Sequence, residues 1–442
     1  MLDARKRRQF RKDLLAWFRQ FQRDLPWRRD RDPYRIWISE IMLQQTRVAA
    51  VVPYYERFLE RFPTIAALAA APEEEVLAHW SGLGYYRRAR NLQSAAQRIV
   101  AGHGGEFPSF YADVLALPGI GPYTSAAILS MAFNAPHAVL DGNVARVVAR
   151  LDAVCGDLRE TKMWNALQQS ADALLDRQSP SDWNQGMMEL GATVCTPTSP
   201  RCLICPVAKF CRARQLGLTE VIPEKRKKRA TVSVTLAAAI LVDGKSRTLL
   251  LPPPGQATGS GYVDKRKERW PATLGSSLGG SGEARESGQE VTVTKASADH
   301  AEITALVSRM WHFPAVYVKQ NAEAELRAYL SELVHRGQFF PADEPGWRTA
   351  DRPKRLAGRR KPLALELLAG ARHTVTYRDI RLLPFRVRVA KLPRIAGAQI
   401  VPIGELATHS SLAISNLTRK LARAALSDTA VRDDAGRRLR VM

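Results

Sequence analysis

Four cysteines, Cys195, Cys202, Cys205 and Cys211, fall within 17 residues in the spacing C-x6-C-x2-C-x5-C. No other feature narrows the possible folds as much. The stretch after the first, Thr196-Pro197-Thr198-Ser199-Pro200, is loop chemistry, so the four thiols cannot all sit in a packed core. A disulfide framework is not expected when five cysteines serve 442 residues and four are crowded together. The spacing points to a metal. Four-cysteine zinc sites usually pair two separated C-x2-C knuckles. A single knuckle with unequal outer arms suits a cubane iron–sulfur cluster better, and zinc stays open as the alternative. Cys155 lies outside the spacing and reads as a buried structural thiol.

The chain leading to this loop reads as helical from the N-terminus to about residue 218. Apolar residues recur three and four apart, as in Leu14, Leu15, Phe18 and Phe21, and again in Val76, Leu77, Trp80 and Leu83. The breaks carry turn residues, and Pro33, Pro63 and Pro72 each stand where a helix can begin. At Pro223 the character changes. A basic connector, Glu224-Lys225-Arg226-Lys227-Lys228-Arg229, leads into a β-branched run, Thr231–Asp243, that ends in an Asp-Gly turn. Thr248–Leu251 is the expected partner strand, Arg381–Ala390 a further strand, and Ser411–Ala425 a helix. Residues of about 252–290 are rich in Gly, Ser and Pro and read as a flexible insertion. The second basic run, Arg352 to Lys361, reads as loop.

Lys and Arg number 66 and Asp and Glu 43, a formal net charge of +23, which fits a polyanionic partner, most commonly nucleic acid. The longest apolar stretch, Val232–Val242, is too short to span a bilayer, and no apolar signal core follows the basic N-terminus. The expectation is a cytoplasmic, monomeric protein with no membrane association.

Three further segments carry chemistry. Leu117-Pro118-Gly119-Ile120-Gly121-Pro122-Tyr123 permits a tight turn with exposed amides, with a helix of small residues from Thr124 onward. Amides at a helix start bind phosphate without reading sequence. Trp37-Ile38-Ser39-Glu40-Ile41-Met42-Leu43-Gln44-Gln45-Thr46, as a helix, puts Glu40 on one face with Ile36, Trp37 and Leu43. A carboxyl among apolar neighbours is held protonated, as a general acid requires. Asp141-Gly142-Asn143-Val144 supplies a second carboxylate, which can also cap a helix.

The cysteine spacing after a long helical region, with the Gly119/Gly121 hairpin, resembles the endonuclease III superfamily of helix-hairpin-helix DNA glycosylases. Bifunctional members carry a lysine two residues after the second hairpin glycine, and its amine attacks the sugar. Tyr123 stands there. With Glu40 and the Gln44-Gln45-Thr46 that follows it, this narrows the resemblance to monofunctional adenine glycosylases of the MutY type. The resemblance implies a [4Fe–4S] cluster on Cys195, Cys202, Cys205 and Cys211, with Arg201, Lys209, Arg212 and Arg214 as positive charge beside it. It implies Glu40 as general acid, Asp141 facing the sugar, and Tyr123 and Asn143 completing the site. It places Trp27, Arg28 and Gln185 around adenine, and Gln45 and Tyr85 as residues that push into the base stack. Gly119 and Gly121 then bind the DNA backbone, with Arg87, Arg88 and Arg90 as phosphate contacts. The implied partner is double-stranded DNA with adenine mispaired with 8-oxoguanine or guanine.

The expected architecture is multidomain. A six-helix domain spans 31–136. An all-α cluster domain combines 1–30 with 137–218, and a basic linker spans 219–230. An α+β Nudix-like domain for recognising the opposing base follows at 231–442. There Trp311-His312-Phe313-Pro314 resembles the family's W-E-F-P segment, and the paired glutamates of the Nudix box are absent. His373-Thr374-Val375-Thr376-Tyr377 aligns with the loop that reads 8-oxoguanine, with Thr376 as hydrogen-bond donor and Tyr377 able to stack. Two rivals remain: an endonuclease III-like glycosylase/lyase for oxidised pyrimidines, opposed by Tyr123, and a DNA-binding scaffold without activity, opposed by Glu40 and Asp141.

Overall fold

The computed structural model describes residues 2–158, 160–224, 230–253, 310–336, 363–375, 378–395, 397–408, 410 and 412–427. The chain divides into two compact units between Arg229 and Ala230.

The described residues of the first unit are helical, without strands. The helices are α1 (Ala4–Phe21), α2 (Pro33–Leu43), α3 (Val48–Arg61), α4 (Ile65–Ala70), α5 (Glu73–Trp80), α6 (Arg87–His103), α7 (Tyr111–Leu115), α8 (Pro122–Phe133), α9 (Gly142–Asp152), α10 (Thr161–Leu174), α11 (Pro180–Thr193) and α12 (Arg212–Gln215). Asp3 caps α1 by accepting from the Lys6 amide at 2.8 Å. Phe10, Leu14, Leu15 and Phe18 are buried, and α1 packs on α11. Phe21, the last of the expected stripe, is exposed. Of the three prolines, Pro33 opens α2 behind an Asp32 cap, and Pro72 immediately precedes α5. Pro63 stands before Thr64, whose hydroxyl caps α4 through the Ala67 amide at 3.1 Å.

α2 is apolar almost all round, and Tyr34 to Met42 are all buried except Arg35. A helix of that kind lies inside a fold rather than on it, and α2 is flanked by α3, α6 and α8. The hairpin runs from α7 through Gly119 (φ 79°) to an extended Gly121 that precedes α8. α8 begins at Pro122, two residues before the expected Thr124, because proline is preorganised for a first helical position. A Cβ on Gly119 would fall 2.7 Å from Asn91 Cβ, so α6 packs directly beneath the turn.

The described part of the second unit is a seven-stranded sheet with helices on both faces. Its strands are β1 (Val232–Val242), β2 (Arg247–Leu250), β3 (Ala315–Tyr317), β4 (Glu366–Leu367), β5 (Ala371–Val375), β6 (Arg378–Arg388) and β7 (Gln399–Pro402). The path is β4-β6-β1-β2-β7, with β3 on β1 and β5 on β6. β1 and β6 pair in parallel over their full length, from Val232 opposite Arg378 to Val242 opposite Arg388. The period of two in β1 sorts its residues between two cores. Leu236, Ala238 and Ile240 pack with Ile403 of α14 (Ile403–Ala407) and with Leu417 and Leu421 of α15 (Asn416–Ser427). Ala237, Ala239 and Leu241 pack with Leu326 and Leu330 of α13 (Ala322–Arg336). This double coverage explains why β1 reads as one continuous apolar run.

Strand β6 starts at Arg378 rather than Arg381, because its first residues gain a hairpin partner in β5. The last helix starts at Asn416 rather than Ser411. Ser415 fixes that boundary by accepting from the Thr418 amide at 3.1 Å, a helix cap. Trp311-His312-Phe313-Pro314 is built into the sheet: His312 bridges Leu251, and the Ala239 amide donates to Pro314 at 2.8 Å. Cys155 is exposed, which corrects the expectation of a buried thiol. It follows the left-handed Ala153 that ends α9, and is carried out of the core by that turn. Most of the expected insertion, the basic connector at 225–229, the run at 352–361, and Thr376 and Tyr377 lie outside the described residues.

Candidate active site

Asp32 holds the start of α2, accepting from the Tyr34 amide at 2.8 Å and the Arg35 amide at 3.4 Å. Two turns later the helix delivers Glu40 into a cleft of about 500 Å³. Trp27, Arg28, Gln45, Tyr123, Asp141, Asn143 and Gln185 line the same cleft. Eight of the residues singled out in the sequence, Glu40 included, therefore converge from α2, α8, α9, α11, the 3-10 turn at Pro26–Arg28 and the segment after α2. Tyr85, Arg87, Gly119 and Gly121 are not in its wall.

The Tyr123 hydroxyl donates to Glu40 Oε2 at 2.8 Å and lies 3.3 Å from Met188 Sδ. Burial pushes the Glu40 carboxyl up to about 7, and the nearby Asp141 pushes the same way, against the Tyr123 bond and Arg28. Burial also raises Tyr123 far above the ordinary tyrosine range, so it stays a neutral donor at working pH. The site thus holds an acid that is part-protonated near neutrality.

Asp141 caps α9, with Oδ1 accepting from the Asn143 amide at 3.0 Å and the Val144 amide at 2.7 Å. Its Oδ2 accepts from Asn143 Nδ2 at 3.2 Å. Burial raises the Asp141 carboxyl, while the cap bonds, Arg146 and the Asn143 side chain oppose that rise. Capping and a role in the cleft coexist in one residue. Arg146, buried beneath, donates to Asn143 Oδ1, Gly191 O and Cys195 O, each at 2.8 Å. One guanidinium thereby ties the cleft floor to the cysteine loop.

Sequence reasoning missed Arg23, Met188 and Glu189. Glu189 is buried and bonded to Arg23 by two hydrogen bonds (2.6 and 2.9 Å) and to Arg28 by one of 2.8 Å. Burial pushes its carboxyl up, but the bonds from Arg23 and Arg28 outweigh this and leave it below the usual carboxylate range. It is therefore an anion in the same cleft as the part-protonated Glu40. A glutamate on a helix carries no sign of such partners in sequence. The only available signal was its spacing, four residues after Gln185 on the same helix face. Gly191 was missed too: a Cβ there would fall 2.8 Å from Asn143 Cβ and 3.0 Å from its carbonyl carbon.

Of the expected phosphate contacts, Arg87 is exposed. Arg90 pairs with Glu73 at 2.8 Å. Arg88 is turned inward onto backbone carbonyls, which corrects its assignment to phosphate: a side chain bonded to the ends of two loops is not presented to a duplex. Gln45 and the exposed Tyr85 hold left-handed backbone, at φ 56° and 49°.

Cys195, Cys202, Cys205 and Cys211 line one small pocket with Arg150 and Arg214. Among the described residues, no three Cys, His, Asp or Glu side chains are gathered as the donors of a single metal ion. Arg150 is buried and donates to Cys195 Sγ at 3.2 Å and to Thr196 O at 2.8 Å. Burial pushes Cys205 up to about 12, and the other three thiols add to it. Four sulfurs around one pocket, served by a guanidinium donor, fit an anionic thiolate-ligated group. Of the basic residues expected beside it, Arg201 donates to Thr193 O, Lys209 pairs with Asp13 at 2.9 Å, and Arg212 and Arg214 are exposed.

Residues 38–171 match the family model described as HhH-GPD superfamily base excision DNA repair protein. An adenine DNA glycosylase of Homo sapiens is 38% identical over 355 residues, which cover 75% of this chain and 62% of that protein. One of Rattus norvegicus is 48% identical over 216 residues, covering 47% of this chain and 42% of that protein. The chain spans less than two thirds of the length of either. A solved structure titled as that of a thermostable thymine-DNA glycosylase is 32% identical, with a TM-score of 0.45 over 48% of this chain and 100% of that one. No described helix is long and apolar enough to cross a membrane.

Proposed function

We propose that this chain, whose residues 38–171 belong to the HhH-GPD superfamily of base excision DNA repair proteins, is a monofunctional adenine DNA glycosylase. Its substrate is then adenine mispaired with 8-oxoguanine or guanine in duplex DNA. The observation that carries the reading is the Glu40 carboxyl, buried, raised to about 7 and bonded to Tyr123 in a cleft shared with Asp141.

In this reading the adenine is flipped from the stack into the cleft. The protonated Glu40 donates its proton to a ring nitrogen of the base. The N-glycosidic bond then breaks with its electron pair going to the base, leaving an oxocarbenium-like sugar. Asp141 offsets that positive charge, following the two-carboxylate logic of sugar hydrolysis. Water adds to the anomeric carbon and gives up a proton to the now ionised Glu40 carboxylate, so adenine and an abasic site are formed and the acid is restored. Tyr123 holds Glu40 in place and offers no amine, so no covalent sugar intermediate on a lysine and no strand cleavage follow. Trp27, Arg28 and Gln185 receive the base, with Arg28 fixed by Glu189. Gln45 and Tyr85 enter the stack that adenine leaves, and Gly119, Gly121 and Arg87 meet the phosphates.

Cys195, Cys202, Cys205 and Cys211 would hold a [4Fe–4S] cluster, which would supply a rigid cross-link of the loop rather than a reacting group. The unit from Ala230 would be the Nudix-like reader of the opposing base, with Thr376 and Tyr377 as its local contacts. The protein would work as a monomer on cytoplasmic, nucleoid-associated DNA. Free adenine released in single turnover from duplexes with adenine opposite 8-oxoguanine, guanine or thymine tests the reading. Strand nicking without alkali would favour the lyase alternative instead.

A further inference from the structure

One half-buried guanidinium lies between the two loops that carry Gln45 and Tyr85. Arg88, at the start of α6, sends Nη1 to the carbonyls of Ile41 (2.8 Å), Met42 (3.0 Å) and Gln44 (2.5 Å). Its Nη2 reaches Thr46 Oγ1 (3.3 Å) and the carbonyls of Leu83 (3.4 Å) and Gly84 (3.2 Å). The first three carbonyls belong to the C-terminal end of α2, where acceptors lack helical partners and the dipole favours a cation. The Leu83 and Gly84 carbonyls belong to the turn ahead of Tyr85, and Thr46 to the Gln45 loop. The guanidinium also lies over the Tyr85 ring, 5.4 Å from its centroid.

Both loops are conformationally costly. Gln45 and Tyr85 are non-glycine residues in left-handed backbone, a state that persists only where the surroundings over-determine it. The Tyr85 turn is also held from its other side. Trp80 Nε1 donates to Gly84 O at 3.1 Å, and a Cβ on Gly82 would lie 1.8 Å from the Tyr54 hydroxyl. At the Gln45 loop, Arg88 supplies the side-chain bonds that reach across to the other turn.

We infer that Arg88 is a positioning residue that locks the Gln45 and Tyr85 loops in a single register, so that the two side chains enter the duplex as one preformed wedge. This rests on the proposed reading of Gln45 and Tyr85 as wedge residues. A rigid fork with five N–H donors can serve two sets of carbonyls at once, whereas a lysine ammonium is a single point with three donors. Ordering the loops in advance removes that cost from the step that extrudes the base.

The test uses the full chain and Arg88→Lys. In free protein, amide exchange at 42–46 and at 82–86 should accelerate together by about tenfold or more, the worth of one charge-assisted hydrogen bond, with α8 and α9 unchanged. On a duplex with 2-aminopurine opposite guanine, the fluorescence rise that reports extrusion should shrink. The pH dependence of the residual rate should stay as in the parent, because Glu40 is untouched. Faster exchange in one segment alone, or in both with full extrusion, overturns the inference. If the parent protein extrudes no base, the wedge reading has failed, and the exchange result still decides whether Arg88 couples the loops. If Arg88→Lys does not fold, Thr46→Val removes one acceptor from the fork. It should loosen both segments by a few-fold, and a change confined to 42–46 overturns the linkage.

Discussion

The Tyr123 hydroxyl donates to Glu40 Oε2 across 2.8 Å, joining the hairpin helix to the buried helix α2. A tyrosine held neutral cannot take the proton from Glu40, so the carboxyl keeps it for a substrate. With its pKa raised to about 7 by burial, Glu40 is mostly protonated below that value and mostly ionised above it. The single-turnover rate of adenine release should therefore fall as pH rises through about 7. Glu40→Gln should bind a mispaired duplex yet release no adenine. A variant that keeps most of its activity would reject the acid role.

The same shift sets a stability difference. The ordinary glutamate value is 4.5 and the folded value about 7. Between them the unfolded chain loses a proton that the folded chain retains, so stability is fully present below 4.5 and is lost as pH rises to about 7. The loss is at most roughly 3 kcal/mol, from about 1.4 kcal/mol per unit. Glu40→Gln removes it, so its melting temperature should match the parent's near pH 4.5 and exceed it at pH 8. Thermal melts at the two values decide this, and equal gains at both would reject the burial argument.

Asp141 has two separable roles, and Asp141→Asn parts them. Asparagine caps a helix as well as aspartate does, so both cap bonds to α9 survive. Its amide faces Asn143 Nδ2 poorly, which costs about 1 kcal/mol of stability. The rate should fall far more, by ~10²–10⁴-fold, the usual worth of a positioned charged group. Denaturant unfolding beside single-turnover kinetics measures both. A rate loss no greater than the stability loss would leave Asp141 as a cap alone.

Where chemistry depends on residue type at a fixed spacing, the sequence was readable. Glu40 stands in an apolar helix, Gly119 and Gly121 bracket a turn, and Asp141 precedes an apolar run; each is a local pattern, and all lie where the pattern put them. Glu189, Arg23 and Gly191 were not readable because their meaning is tertiary. Glu189 acquires its charge state from Arg23 and Arg28, more than 160 positions away in the chain. Arg88 shows the converse. A basic run beside a tyrosine suggests phosphate, but the helix end at Ile41, Met42 and Gln44 claims the guanidinium. Strand β6 was misjudged at its start because pairing with β5, not its own alternation, extends it to Arg378.

The four thiols around one pocket give an analytical prediction. Anaerobically purified protein should be yellow-brown and carry about four irons per chain, as a cluster with four thiolate ligands requires. Stoichiometric zinc in a colourless protein would reject the cluster. Cys202→Ser should reduce folding or duplex binding before it reduces the rate in the fraction that stays folded, since the four cysteines lie outside the cleft wall and the Arg146 guanidinium ties their loop to Asn143.

The chain divides into two compact units between Arg229 and Ala230, which gives the place for a truncation. If that unit reads the opposing base, a chain ending at Arg229 keeps Glu40, Tyr123, Asp141 and the whole cleft, and should still release adenine opposite guanine. Its preference for 8-oxoguanine should fall sharply. Thr376→Ala in the full chain removes one hydroxyl donor, worth roughly 0.5–1.5 kcal/mol, so it should cost a few-fold in that preference, well short of the truncation. Val375 offers neither a ring nor a donor, which leaves Tyr377 or backbone amides to carry the rest. Excision rates opposite 8-oxoguanine and guanine for the full chain, the truncation and Thr376→Ala separate these contributions. A truncation that keeps the full preference places the reader within the helical unit.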